Sequence, residues 1–197
     1  SELTVPAVAV WSRLVITGGD HHRLHEELTL AGGELEHKRF ARISQVGKLE
    51  ALVAQGSPIE PDRALFDVLK DRFERLEDAL MAAVEARSRD RLKYLENTLD
   101  RRMKSEIADV QTVLNELEAN IRKELKLDRQ DGQLFLPGFS PEEMAQAKKD
   151  VHALEARLAR IPEEREEEKA AIENHYANPV DRTFPVAVVF LVPQSQA

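Results

Sequence analysis

Metal chemistry would be sought first in Asp20-His21-His22-Arg23-Leu24-His25-Glu26-Glu27, the one run of the chain with metal-ligand character. On a helix, His21 and His25 would share a face, and Glu26 or Glu27 would add a carboxylate. The order is not H-E-x-x-H, Arg23 sits inside the run, and no second ligand set accompanies it. The run reads as a polar turn or as packed histidines, with no metal and no cofactor expected.

Phosphate contact is the second chemistry to consider. Arg87, Arg89, Arg91, Lys93, Arg101, Arg102 and Lys104 form a basic band. At about 100° per residue they ring every flank of a helix outside its apolar seam rather than converging on one surface. Arg101, Arg102 and Lys104 have acidic candidates for partners elsewhere in the chain. Arg87, Arg89, Arg91 and Lys93 remain as the candidate DNA-binding group, against the plainer reading of a solvated helix face.

Catalytic patterns are missing from the sequence. It contains no G-x-x-x-x-G-K-[ST] loop to cradle phosphates and no acidic pair after an apolar strand to hold magnesium. Gly18-Gly19 and Gly32-Gly33 lack dinucleotide-binding spacing and read as turns. No Ser/His/Asp order stands out, so this chain is not expected to be an enzyme by itself.

Charged residues make up 32% of the 197 positions, as long amphipathic helices require. A net charge of −8 argues against a general nucleic-acid glove. The absence of cysteine removes disulfides, thiolate metal sites and thiol nucleophiles. No apolar run approaches the roughly 20 residues needed to span a membrane. A cytoplasmic chain with no membrane partner is expected.

The organising element is Pro61 to Leu127, which has no internal proline or glycine. Leu65, Leu69, Phe73, Leu76, Leu80, Val84, Ser88, Leu92, Leu95, Leu99, Met103, Ile107, Val110, Leu114, Leu117, Ile121 and Leu125 recur at steps of three or four, the helical period. At 1.5 Å per residue this predicts a helix of roughly 100 Å with partners along its length.

Before it, Val5 to Thr17 reads as a strand closing on Gly18-Gly19-Asp20. Leu24 to Ala31 and Leu35 to Ala41 read as a hairpin turning at Gly32-Gly33, with a helix as the alternative. Ser44 is a candidate cap for a short helix to about Gln55 that buries Val46, Leu49, Leu52 and Val53.

After the long helix, a loop of about 128–140 carries an apolar plug, Leu134-Phe135-Leu136. Ser140-Pro141-Glu142-Glu143 then has the form of a capping box. A second helix follows Met144, Ala147, Val151, Leu154, Leu158 and Ile161 to about Tyr176, with a kink or local break at Pro162. Thr183 to Val192 reads as a strand buried on both faces that returns to the N-terminal sheet.

The predicted fold is α+β and mostly helical: a long antiparallel two-helix coiled-coil hairpin projecting from a small β-sheet-containing base. The divisions are residues 1–60, 61–176 and 177–197. Folding the helices about a loop near Leu134 would set Glu164 against Lys104, Glu166 against Arg102 and Glu167 against Arg101, with Tyr176 near Leu92.

Several phrases carry a resemblance. Trp11-Ser12-Arg13-Leu14-Val15-Ile16, Gly18-Gly19-Asp20, Leu24-His25-Glu26-Glu27 and Ala31-Gly32-Gly33 resemble the C-terminal region of bacterial Swi/Snf-type helicases. Arg91-Leu92-Lys93-Tyr94-Leu95-Glu96-Asn97, Ala159-Arg160-Ile161-Pro162-Glu163-Glu164 and Arg182-Thr183-Phe184-Pro185-Val186-Ala187-Val188 are similar to the same region. The nearest group is the large helicases of the DISARM anti-phage defence system. The resemblance implies a non-catalytic accessory domain of an ATP-driven DNA translocase. Its helical arm would touch the upstream motor, duplex DNA or another defence subunit. A coiled-coil self-association module without a DNA role is the alternative.

Overall fold

The computed structural model describes residues 3–37, 39–60, 62–130 and 140–196, and the fold is α+β. The chain divides into two units. One comprises Ser1–Asn97 with Asn178–Ala197; the other is Thr98–Ala177.

The first unit is built on a four-stranded antiparallel sheet of order β3-β2-β1-β4, with β1 Ala7–Thr17, β2 Arg23–Leu35, β3 Phe40–Arg42 and β4 Val180–Leu191. β1 lies between β2 and β4. Its first residues, Ala7 to Val10, are buried on both faces, and alternation begins at Trp11. That change of pattern records two layers over one end of the sheet and one over the other.

Helix α2, Arg63–Gln130, contributes its residues up to Asn97 to this unit. Asp62 starts it by accepting the Leu65 amide at 2.7 Å. Leu80 and Val84 of α2 pack on Val8, Val10, Ala31 and Leu35 of the sheet, with Phe73 edge-on to Phe190 of β4 at 5.9 Å. Each fully buried aliphatic side chain contributes about 1.5–3 kcal/mol, enough to fix which face of α2 meets the sheet. Every residue of the predicted stripe is buried or half-buried.

Three local expectations need correction. The hairpin expected at Gly32-Gly33 instead turns between Leu35 and Phe40, joining β2 to β3, whereas β1 meets β2 at the expected Gly18-Gly19-Asp20 turn, where the Gly18 and His22 backbones bond at 3.0 Å and His21 takes φ 64. Gly32 and Gly33 both lie inside β2. A Cβ on Gly32 would fall 2.1 Å from the Val8 carbonyl, and one on Gly33 would fall 2.3 Å from that of Ala41. They permit close approach of neighbouring strands instead of a turn.

Helix α1, Val46–Gln55, begins after Gln45, and no side chain caps it, so Ser44 does not fill that role. Leu49 is buried, with Val46, Leu52 and Val53 half-buried around it, as the pattern predicts.

The last correction concerns β4, which pairs with β1 as expected but is not buried on both faces. It is the edge strand, and Phe184, Val186 and Val188 are 50%, 61% and 42% exposed. A continuous apolar run signals two buried faces only where layers pack on both sides of the sheet, and β4 lacks that cover from Phe184 to Val188.

The second unit contains α2 from Thr98 onward and α3, Pro141–Tyr176. α2 keeps helical backbone to Gln130, into the span expected as loop, while the Leu134-Phe135-Leu136 plug lies outside the described residues. Ser140 caps α3 as its sequence predicts. Its hydroxyl accepts the Glu143 amide at 3.2 Å, and the Glu143 carboxylate accepts the Ser140 amide at 2.7 Å. The helix is continuous through Pro162, so no break occurs there. Ile161, next to the proline, is completely buried against Leu114, Ile121 and Leu125, which offsets the missing backbone bond.

The two helices do not adopt the register that the charges suggest. Arg165 donates to Asn115 at 2.8 Å and to Glu118 at 3.2 Å, and the Tyr176 hydroxyl donates to Glu106 at 2.6 Å. These pairs lie about fourteen residues, nearly four helical turns, from the predicted alignment, and Tyr176 is not opposite Leu92. Glu164 bonds Arg157 on its own helix, and Lys104 bonds Asp100 at 2.7 Å. Exposed charges find such partners within one helix for about 0.3–0.5 kcal/mol, so they do not decide how two helices align. Burial of Ile161 outweighs them.

Candidate interaction surface

The sheet is fastened to α2 by polar pairs as well as by its core. Glu27, on the α2-facing side of β2, accepts both Nε and Nη2 of Arg91, at 2.6 and 2.7 Å. Arg91 holds the Glu27 carboxyl below the usual carboxylate range, chiefly through these hydrogen bonds, against the opposing effect of burial. The same guanidinium lies 5.0 Å over the Tyr94 ring. One turn earlier the buried Ser88 hydroxyl donates to Asp181 at the start of β4. Arg42 of β3 donates to Asp90 at 3.3 Å. Thus β2, β3 and β4 are each tied to one turn of α2, Ser88 to Arg91.

On the opposite face, α1 covers only one end. Leu49 sits on Ala9 and Leu30, with Trp11, Ile43, Val46 and Val53 around them. Beyond Trp11 the register sets Leu28, Arg13 and Phe184 side by side across β2, β1 and β4. Leu28 is 64% exposed and Phe184 half exposed, and Val186 follows at the β4 irregularity. Arg13 donates to Glu26 at 2.6 Å, and Arg23 pairs with the same carboxylate. A depression of about 730 Å³ at this end of β2 is lined by Arg13 and by every residue from Arg23 to Leu28, so it takes in both faces of the strand. The result is a surface on which exposed Leu28 and Phe184 flank the ion-paired Arg13, mixing apolar and charged groups as protein-contact surfaces do.

The histidines do not share a helical face, the placement that the metal reading required. His21 is an exposed loop residue, whereas His25 lies in β2 with its Nε2 3.5 Å from Glu27. Strand alternation sends His25 and Glu27 to one side and Glu26 to the other.

The four candidate DNA residues are likewise dispersed. Arg91 is engaged by Glu27, and Arg89 lies 3.8 Å from Glu85. Arg87 is half-buried, and its Nε has no hydrogen-bond partner among the described residues. Lys93 is exposed. Helical geometry places Arg87 and Arg91 on one flank and Arg89 and Lys93 on another.

No family model, curated protein or solved structure matches this chain. Sequence reasoning missed the Arg91–Glu27 and Ser88–Asp181 pairs because their members are 64 and 93 positions apart. The one available signal was Ser88, a polar residue within an otherwise apolar stripe.

Proposed function

We propose that this chain is a non-catalytic accessory domain of a Swi/Snf-type helicase, seated against the ATP-driven motor through the uncovered half of its sheet. The observation that carries the reading is the row Leu28–Arg13–Phe184 with Val186. Leu28, Phe184 and Val186 are exposed apolar residues around the ion-paired Arg13, and they lie beside a half-face that α1 covers. Isolated exposed leucines need no explanation; three exposed apolar residues grouped around one ion-paired arginine on a single sheet end support a contact site. The resemblance of the Trp11-to-Ile16 and Arg182-to-Val188 phrases to helicase C-terminal regions supports the motor as its occupant.

The ties from Ser88, Asp90 and Arg91 to three strands support a stiff platform whose position follows that of α2. Such a platform would transmit the motor's position without chemistry of its own. Duplex DNA is assigned to the motor rather than to Arg87, Arg89, Arg91 and Lys93, because Arg91 is already held by a carboxylate. The domain would share the motor's cytoplasmic compartment, and no helix among the described residues is long and apolar enough to cross a membrane.

The test is binding between this chain and the motor region of its native polypeptide, each purified separately. Wild type should bind, and the triple substitution Leu28→Ser, Phe184→Ser, Val186→Ser should weaken binding at least tenfold while keeping the same thermal transition. Equal affinity of the two, or no binding by the wild type, would refute the reading. A concentration-dependent mass for the isolated chain, abolished by the same substitutions, would replace it with self-association.

A further inference from the structure

We draw no further inference here: the strongest candidate, the open outer edge of β4 from Val180 to Leu191, adjoins the surface already described, and nothing in the structure shows which strand would pair with it.

Discussion

Arg91 of α2 grips both oxygens of Glu27 in β2, and each side chain is 23% exposed. A two-pronged pair at this depth is stronger than a surface salt bridge, because solvent screens it less and the guanidinium fork matches the carboxylate. It joins the long helix to the sheet beside the Ser88–Asp181 and Arg42–Asp90 bonds. A double-mutant cycle with Arg91→Ala and Glu27→Ala should give a coupling of about 1–2 kcal/mol. Additive effects would mean that the pair does not hold α2.

The same carboxylate predicts a pH dependence. Its folded pKa is depressed, so its contribution to stability is complete above the ordinary carboxylate value and is lost as pH falls through the lower folded one. Denaturant midpoints of wild type and Glu27→Gln should therefore differ at pH 6 and converge as the solution is acidified below about pH 4. A constant difference across that range would remove Glu27 ionisation from the account.

Register in the second unit can be tested directly, because the chain contains no cysteine. Asn115→Cys with Arg165→Cys should be joined by a short thiol-specific cross-linker, since the native side chains touch at 2.8 Å. Lys104→Cys with Glu164→Cys should not. Efficient cross-linking of the second pair alone would restore the charge-matched register. Replacing the exposed Glu166 and Glu167 with Gln should change stability by no more than about 0.5 kcal/mol.

These experiments separate what was legible in the sequence from what was not. Periodicity located the buried stripe of α2 from Leu65 to Leu125, and cap chemistry located Ser140, because both signals act over a few residues. β1 and β4 were likewise visible from their β-branched composition. The helix register was not, because surface charges suggested one alignment and burial of Ile161 selected another. The candidate surface was hidden for a related reason. The apolar run Phe184 to Val189 looks the same whether its strand is central or at an edge, and only the strand order shows that β4 is at the edge.

Removing residues 180–197 should test the sheet itself. β1 would lose its whole β4 ladder, and the Phe73 contact with Phe190 would vanish. The strand-rich unit should then lose its cooperative unfolding transition and its slowly exchanging β1 amides. A truncated chain with an unchanged transition would show that β4 is dispensable.

The central claim is that the uncovered sheet face meets a motor. Amide hydrogen exchange, compared between the isolated chain and its native full-length polypeptide, addresses it most directly. In the full-length protein the account predicts at least tenfold slower exchange in β4 around Phe184 to Val188 and in β2 near Leu28, with little change in α1. Identical exchange of those strands in both forms, or a native polypeptide without an ATP-driven motor, would contradict it.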